Sequence, residues 1–244
     1  MSRPPDHAVD EAAKRPSDKP SGSLPLTAEQ IASQLRCPQG ELGKEFGRVM
    51  NLRNLSMILG ALAQLELQAG NRVLELGAGD GGLLGYLLSR APELQYIGLD
   101  ISETMVAQAR AFNAPFIQAG LADHVLYDGT RLPLADASFD RALAVNTVYF
   151  WADMPAMLAE LARVLKPGGL FLICNEATNP ECRWTALIEG MQVYTEDTLR
   201  GLLAAAGFTD MDSDTGRRGN LCLRARKAPR GNGEEAAAQS GESA

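Results

Sequence analysis

The sequence predicts an α/β fold in which helices cover both faces of a parallel β-sheet. First, short strand-like apolar runs alternate with helical patterns along most of the chain. Second, the first strand-like run, NRVLELGA, leads directly into glycines and a helix, as in a strand-to-helix turn. Third, the chain has 244 residues and no internal repeat, which is enough for a substantial core in one or two domains.

Two helices are predicted before the first strand. Thr27 and Gln30 form a capping-box pattern at the start of TAEQIASQLR, and Pro38 with Gly40 ends that helix. A second helix is predicted from Glu41 to about Leu67. Glycines at positions 40, 43 and 47 each weaken a helix by up to about 1 kcal/mol, which suits a lid that closes over a ligand.

Strands and helices are then predicted in alternation. The predicted strands are NRVLELGA, LQYIGLD, a short one near HVLYD, FDRALAVN, LFLICNE, and two near Thr209–Asp214 and Leu221–Arg226. The predicted helices are LLGYLLSR, SETMVAQARAF, MPAMLAELARVL and TEDTLRGLLAAAG. Pro167 with the following glycine pair is expected to end the third of these helices.

Composition excludes several function classes. Hydrophobic residues make up 45% of the chain, and no apolar run approaches the roughly 18 residues of a membrane span. The start of the chain lacks the apolar segment of a secretory signal, so we expect a cytoplasmic protein without integral membrane association. The net charge of -7 argues against nucleic acid as a partner and favours small-molecule chemistry.

The cysteines and histidines do not form a metal site. Cys37, Cys174, Cys182 and Cys222 contain no CxxC pair, and His124 is the single histidine beyond the first 25 residues. A Cys/His site therefore has too few well-spaced ligands, so no metal is predicted. We expect four separate, reduced thiols.

The chain ends differ in composition from the middle. Residues 1–25 hold five of the 13 prolines and almost no large apolar side chains, which predicts a disordered N-terminal arm. Residues 227–244 are similar in kind and are predicted to be a disordered tail. The folded domain is thus predicted over 26–226, with a helical lid over 26–70 and the catalytic core over 71–226.

The strongest chemical signal is the turn after the first strand, ELGAGDGG. Gly77 and Gly79 permit a tight turn and close approach of a ligand, beside the free N–H groups of a helix start. Gly77, Gly79 and Gly82 also satisfy GxGxxG, and Asp100 follows about twenty residues later, as in dinucleotide-binding sites. A turn that uses glycine for its geometry alone is the other interpretation.

Glu75 helps to choose between cofactors. It places a carboxylate two residues before Gly77, where it would repel a pyrophosphate and attract a ligand with an ammonium and a sulfonium. Alternatively, Glu75 holds the glycine loop through hydrogen bonds to backbone N–H groups. A nicotinamide-dependent oxidoreductase is further disfavoured because no catalytic Tyr-Lys or His arrangement is recognisable.

Four segments carry a resemblance to a known family. VLELGAGDG, GLDIS, YDGTRLPLADASFD and LARVLKPGGLFLI resemble, in order, the signature segments of the class I S-adenosylmethionine-dependent methyltransferases, in particular the type 11 group. The resemblance covers about Asn71 to Arg226 and implies a Rossmann-like, doubly wound sheet of seven strands with the last antiparallel. The preceding helices are similar to those of ubiquinone- and menaquinone-type C-methyltransferases.

The resemblance implies S-adenosylmethionine as the cofactor and assigns residues to it. The glycine loop would lie against the methionine part, Asp100 would accept hydrogen bonds from both ribose hydroxyls, and Ile101 would pack on the adenine. Asp128 would accept from the adenine amine, although an acidic turn residue in DGT is the alternative. The implied cofactor-binding residues are Glu75, Gly77, Ala78, Gly79, Asp100, Ile101, Asp128, Gly129 and Asn146.

The predicted acceptor site follows the strand FDRALAVN, because ligands in open α/β sheets bind beyond the carboxyl ends of strands. Asn146 and Tyr149 are the predicted catalytic residues. Two of the aromatics that follow this strand could instead plug the sheet edge, and the methionines of the lid could be core. The predicted acceptor pocket comprises Tyr149, Phe150 and Trp151 with Met50 and Asn54, and Asn51 and Met57 share the lid's helical spacing.

The predicted activity is transfer of a methyl group to a small-molecule acceptor by proximity and desolvation in an aromatic-lined pocket. His124, Tyr149 and Glu176 are candidate bases if the acceptor must lose a proton. The acidic charge balance favours an uncharged or cationic acceptor over a polyanion. The alternatives are a non-catalytic S-adenosylmethionine-binding protein and the nicotinamide-dependent oxidoreductase.

Overall fold

The computed structural model describes residues 26–176, 178, 181, 185, 188–216 and 220–229. The predicted N-terminal arm, 1–25, lies outside these residues, as does the predicted C-terminal tail except for residues 227–229. The outcome of both predictions therefore lies outside the described residues, except that Lys227 is still the last residue of a β-strand.

The β-strands of the described residues form one sheet. They are β1 Arg72–Leu76, β2 Gln95–Asp100, β3 Ala122–Leu126, β4 Phe139–Val145, β5 Leu165–Asn175, β6 Phe208–Thr215 and β7 Leu221–Lys227. Their order is β3-β2-β1-β4-β5-β7-β6, and β7 runs antiparallel to both of its neighbours while the other pairs are parallel. The predicted Rossmann-like sheet of seven strands with an antiparallel last strand is confirmed.

Helices cover both faces of this sheet. They are α1 Ala28–Arg36, α2 Gly40–Ala63, α3 Leu84–Leu88, α4 Glu103–Phe112, α5 Ala114–Gln118, α6 Met154–Val164 and α7 Glu196–Ala205. Because successive strand residues point to opposite faces, Val73 packs with α2 and α3 whereas Leu74 packs with α6 and α7. Burial on both faces explains why the central strands are almost continuously apolar in sequence.

The two N-terminal helices form as predicted, with one change of boundary. Thr27 and Gln30 make the capping box, with reciprocal hydrogen bonds of 3.1 and 2.9 Å. The second helix ends at Ala63 rather than near Leu67. The Arg141 guanidinium from β4 donates hydrogen bonds to the carbonyl oxygens of Leu65 (2.7 Å) and Glu66 (2.8 Å), which holds this segment outside the helix.

Two glycines of α2 are positions of close packing. A Cβ at Gly43 would stand 2.6 Å from the backbone carbon of Pro38, and a Cβ at Gly47 would stand 2.7 Å from the Met105 sulfur. Both glycines are buried. They therefore bring α2 close to the end of α1 and to α4, whereas the sequence suggested only a helix that opens easily.

Other local features also differ from the sequence prediction. Helix α6 ends at Val164, and Pro167 lies with the glycine pair inside the first part of β5, next to a register shift against β4. The short helix α5 and the 3₁₀ helix Val148–Phe150 are not predicted from the sequence. Both are single turns, which are too short to give a periodic pattern.

The prediction of four separate thiols is wrong for two of the cysteines. Cys174 on β5 and Cys222 on β7 are register partners in the antiparallel pair, with Cα atoms 4.2 Å apart, and they form a disulfide. Their separation of 48 residues gives no hint of pairing until β5 and β7 are placed side by side. Cys37 is a free thiol, and Cys182 lies outside the described residues.

No helix among the described residues is both long enough and apolar enough to cross a membrane. No group of three or more His, Cys, Asp or Glu side chains in those residues is placed to hold a metal ion.

Candidate cofactor and acceptor site

The glycine loop lies where β1 ends and is fixed by the neighbouring strand. Gly77 and Ala78 donate backbone hydrogen bonds to the Leu99 carbonyl oxygen, at 2.8 and 3.1 Å. Gly77 adopts φ +73°, and a Cβ there would meet the Thr147 side chain at 2.5 Å, so only glycine fits this position. A Cβ at Gly79 would meet nothing within 4 Å, so the loop faces open space at that residue.

Asp100, at the end of β2, holds the loop from below. Its Oδ2 accepts from the Gly79 N–H at 2.8 Å and its Oδ1 accepts from the Ser102 N–H at 2.9 Å. The side chain is nearly buried, and burial raises the pKa of Asp100 despite these hydrogen bonds. The helix cap of α4 is Ser102, whose hydroxyl accepts from the Met105 N–H.

Glu75 lies beneath the loop and contacts a tyrosine. The Tyr96 hydroxyl donates to Glu75 Oε2 at 2.6 Å. Burial raises the pKa of Glu75 to about 7, the Tyr96 hydrogen bond lowers it, and the nearby Asp100 charge raises it. The alternative in which Glu75 holds the loop through backbone N–H groups does not match this geometry, because Asp100 and Leu99 accept those bonds.

A buried polar pair supports the loop from the side away from the cavity. Asn113 Nδ2 donates to the Gly81 carbonyl oxygen at 3.1 Å and lies 3.2 Å from His124 Nε2. Burial lowers the pKa of His124 to about 4, so this imidazole is neutral near pH 7. His124 is thus part of the scaffold, and its predicted role as a candidate base finds no support in this position.

The predicted adenine residues lie on the other side of Asp100. Ile101 and Gly129 line the cavity and approach each other, since a Cβ at Gly129 would stand 3.3 Å from Ile101 Cγ2. Asp128 does not line the cavity. Its Oδ1 accepts from the N–H and hydroxyl of Thr130 and from the Arg131 N–H, and these hydrogen bonds lower the pKa of Asp128. This is the geometry of the acidic turn given as the alternative.

Asn146 follows β4 and lines the cavity in a left-handed backbone conformation, φ +53°. Its N–H donates to the Cys174 carbonyl oxygen at 2.9 Å. Its side-chain Oδ1 accepts from the Glu176 N–H at 2.8 Å and from the Tyr149 hydroxyl at 3.2 Å. With Oδ1 engaged twice, the amide NH₂ is the part of Asn146 that remains for a ligand.

Tyr149 is the one predicted aromatic that the structure turns away from the cavity. It is 3% exposed and packs in the core between the sheet and α6, so its predicted direct contact with the acceptor is wrong. The 3₁₀ helix places successive residues on different sides, which leaves Phe150 and Trp151 lining the cavity. Tyr149 contacts the lining residues Asn146, through its hydroxyl, and Phe150, through its ring.

The end of α1 crosses the cleft; we term residues 36–40 the strap. On one side, the Ser102 hydroxyl donates to the Pro38 carbonyl oxygen and the Gly40 N–H donates to Thr104 Oγ1 at 3.0 Å. On the other side, Arg36 Nη2 donates to the Glu189 carbonyl oxygen at 2.8 Å. The strap thereby spans from the start of α4 to the segment between β5 and α7.

Helix α2 supplies the wall opposite the sheet. Met50, Asn51 and Asn54 line the cavity as the helical spacing predicts, whereas Met57 is buried in the core. Asn51 Nδ2 donates a short hydrogen bond to Asp80 Oδ1, which joins α2 to the glycine loop. Glu176, the remaining candidate base, does not line the cavity.

These residues enclose a cavity of about 150 Å³. The predicted residues that line it are Glu75, Gly77, Ala78, Gly79, Asp100, Ile101, Gly129, Asn146, Phe150, Trp151, Met50 and Asn54. Sequence reasoning missed a further set: Leu35, Arg36, Pro38, Gly47, Ile58, Met105, Tyr127, Val145 and Thr147. Val145 and Thr147 flank Asn146, so the rule that ligands bind beyond the ends of strands could have identified them. No local sequence pattern marks Arg36 as a site residue.

A family comparison agrees with this geometry. A profile described as a methyltransferase domain matches residues 74–173, which span β1 to β5 and include the glycine loop, Asp100 and Asn146. The segment from β1 to β5 is thus similar to a methyltransferase domain, and the comparisons support a class I S-adenosylmethionine-dependent methyltransferase. The cofactor that goes with this domain is S-adenosylmethionine, so the nicotinamide alternative loses its support.

Curated relatives of this methyltransferase domain include enzymes from fungi and bacteria. An O-methyltransferase of Aspergillus sclerotiorum is 31% identical over 60% of this chain and 58% of its own length. A malonyl-[acyl-carrier protein] O-methyltransferase of Methylococcus capsulatus is 36% identical over 61% of this chain and 56% of its own length. The chain thus covers less than two thirds of these relatives.

A solved structure shares the fold of the methyltransferase domain. It is a complex between the Haloferax volcanii Trm112 methyltransferase activator and a putative methyltransferase, with a TM-score of 0.69 at 22% identity. The match covers 82% of this chain and 98% of that one. At this identity the similarity supports the fold alone.

Proposed function

We propose that this protein transfers the methyl group of S-adenosylmethionine to an oxygen atom of a small-molecule acceptor. The observation that carries the proposal is that the glycine loop after β1 and the aromatic residues after β4 open into one cavity. Two ligands can therefore meet there. Oxygen is favoured as the acceptor atom because both curated relatives described above are named O-methyltransferases.

The residues present fit the cofactor. Gly79 leaves open space above the loop for the methionine part. Each carboxylate oxygen of Asp100 accepts one backbone N–H and keeps further lone pairs, which we assign to the two ribose hydroxyls. Ile101 and Gly129 offer an apolar surface for the adenine. Asp128 accepts the adenine amine in this proposal only if its second carboxylate oxygen turns toward the cleft.

Glu75 matches the cationic character of this cofactor. Its carboxyl group is buried beside the loop with one hydrogen bond from Tyr96. An ammonium group near it would stabilise the ionised carboxylate in a partly desolvated site. A pyrophosphate placed there would be repelled.

When bound, S-adenosylmethionine supplies an electrophilic methyl group on a sulfonium. Phe150, Trp151 and Met50 exclude water from the acceptor side of the cavity, which favours transfer by proximity and desolvation. Asn146 donates its amide NH₂ to the acceptor or the cofactor, and we propose it as the catalytic residue. Tyr149 is a positioning residue, since its hydroxyl donates a hydrogen bond to Asn146 Oδ1.

The first test is ligand-induced stabilisation followed by transfer. S-adenosylmethionine and S-adenosylhomocysteine should raise the Tm of the protein, whereas NAD should not. The protein should then move isotopic label from S-adenosylmethionine into a small-molecule fraction of a metabolite extract. Binding without any transfer would favour the non-catalytic alternative, and stabilisation by NAD alone would contradict the proposal.

A further inference from the structure

We propose that Arg36 binds a carboxylate group of the acceptor, so that the preferred acceptors are organic acids with an apolar body. This inference rests on the proposed function, because it assigns the second ligand of the same cavity. It concerns a residue that neither the sequence motifs nor the family profile singles out, since Arg36 lies outside residues 74–173.

One cation lines the cavity in the described part of the chain. It is Arg36, and no carboxylate among the described residues forms an ion pair with it. Asp100 and Glu75 lie beside the glycine loop, next to the proposed ribose and ammonium of the cofactor. Two anionic groups could bind the guanidinium: the carboxylate of the cofactor's amino-acid part and a carboxylate of the acceptor. The position of Arg36 favours the acceptor.

The sheet order places Arg36 away from the ribose-binding carboxylate. Its guanidinium carbon lies 5.7 Å from the centre of the Phe150 ring, just after β4, and its Nη2 reaches Glu189, beyond β5. Asp100 ends β2, and β1 lies between β2 and β4. With strands about 4.8 Å apart, β2 and β4 are about 10 Å apart, so Arg36 lies on the acceptor side.

The guanidinium is held in place while most of its donors stay free. The Phe150 ring, whose centre lies 5.7 Å from the guanidinium carbon, and the hydrogen bond from Nη2 to the Glu189 carbonyl oxygen position the guanidinium. Among the described residues these are its contacts, so the remaining N–H groups of the fork are available. A planar fork with parallel N–H groups matches a carboxylate in two hydrogen bonds.

The Asn146 amide is a second donor at the cavity, since its Oδ1 already accepts from the Glu176 N–H and the Tyr149 hydroxyl. Arg36 and the Asn146 NH₂ thus both offer N–H groups to a ligand on the acceptor side, which suits an oxygen-rich anion.

The test measures which ligands bind to the protein once it is saturated with S-adenosylhomocysteine. Titration calorimetry compares octanoate with octan-1-ol, and benzoate with benzyl alcohol, so that each pair differs in the charged group. We expect each acid to bind at least about tenfold more tightly than its alcohol, as charge-assisted hydrogen bonds allow. Arg36→Gln should remove this preference, and Arg36→Lys should restore part of it.

Arg90→Gln is the matched control. Arg90 also stacks on an aromatic ring, 5.5 Å from the centre of Tyr86, but it does not line the cavity. This variant should keep the preference for acids, and a thermal melt should show that all variants are folded. The affinity of Arg36→Gln for S-adenosylhomocysteine should stay within about twofold of the wild-type value.

Three results would overturn the inference. Arg36 does not recognise the carboxylate if neither acid binds to the loaded protein. The same conclusion follows if acids and alcohols lose affinity equally in Arg36→Gln. A tenfold loss of S-adenosylhomocysteine affinity in Arg36→Gln would assign Arg36 to the cofactor's own carboxylate. Failure of the wild-type protein to bind S-adenosylhomocysteine at all would instead refute the proposed function.

Discussion

Asp100 combines two tasks in one carboxylate. It fixes the Gly79 N–H and the start of α4, and it also lines the cavity. A single residue thus links the shape of the loop to the binding of a ligand. Asp128, which follows the next strand, instead uses its Oδ1 within its own turn.

These two carboxylates make a matched pair for mutation. Asp100→Ala should weaken S-adenosylhomocysteine binding by about tenfold to a hundredfold, because it removes the observed hydrogen bond to the loop and the hydrogen bonds to the ribose that we propose. Asp128→Ala should weaken S-adenosylhomocysteine binding by less than about threefold if the role of Asp128 is confined to the turn. Isothermal titration of both variants measures this, and an equal loss in the two would show that Asp128 contacts the adenine.

The pH dependence of binding tests Glu75. Burial raises the pKa of its carboxyl to about 7 in the free protein, so much of it is protonated below that pH. A bound ammonium favours the ionised form, so ligand binding releases a proton. The Kd of S-adenosylhomocysteine should therefore fall as the pH rises from about 6 to about 7.5, below the range in which the amine itself deprotonates.

Two variants isolate the contribution of Glu75. Glu75→Gln should flatten the pH profile, because the titrating group is removed. Tyr96→Phe should move the midpoint upward, since the Tyr96 hydrogen bond lowers the pKa of Glu75. A profile that keeps its slope in Glu75→Gln would assign the titration to another group.

The aromatic run after β4 shows what residue types can and cannot predict. The position of this run, directly after a strand, correctly predicts that it borders the cavity. It cannot say which ring faces inward, because that depends on the 3₁₀ turn over Val148–Phe150. Successive side chains on such a turn point in different directions, so Val148 and Tyr149 enter the core whereas Phe150 and the following Trp151 line the cavity.

At the scale of elements, α2 contains glycines with opposite roles. A Cβ at Gly43 would collide with the backbone of Pro38, whereas a Cβ at Gly60 would meet nothing within 4 Å. Glycine at a packed helix crossing permits close approach, but glycine at an open helical position only adds conformational entropy to the unfolded chain. The helical pattern alone does not distinguish these two cases.

Alanine at each position should therefore shift stability in opposite directions. Gly60→Ala should increase the free energy of unfolding by about 0.5–1 kcal/mol, and Gly43→Ala should decrease it by about 1–3 kcal/mol. Urea denaturation of both variants measures the difference. Equal stabilisation by the two alanines would mean that α1 and α2 do not pack as closely as the structure has them.

Over the whole molecule, the sequence predicts the sheet far better than it predicts the mouth of the cavity. The apolar runs locate all seven strands, and the family resemblance supplies the direction of the last one. By contrast, Arg36 meets Glu189 across 153 residues of sequence, a contact that no local pattern encodes. The net charge of -7 likewise averages over the chain and misses the cation that lines the site.

The disulfide between β5 and β7 contributes to the stability of the whole domain. Closing a loop of 48 residues restricts the unfolded chain, so reduction should lower the free energy of unfolding by about 2–4 kcal/mol. Denaturation with and without a reductant measures this effect. Replacement of both Cys174 and Cys222 by alanine should abolish the response to reductant, whereas Cys37→Ala should preserve it.

Peptide mapping under non-reducing conditions checks the bond itself. Peptides that contain Cys174 and Cys222 should appear linked. Complete alkylation of both thiols without prior reduction would instead support the separate thiols that the sequence suggests, as is usual in reducing compartments.

The strap over the cleft also bears on the rates at which ligands enter and leave. It is fastened at one end to Ser102 and Thr104, near the adenine side, and at the other end to the Glu189 carbonyl. One short segment thus borders the positions proposed for both ligands. If the cofactor and the product leave past this segment, the same local opening precedes the exchange of each, and the hydrogen bonds at its two ends set how often it opens.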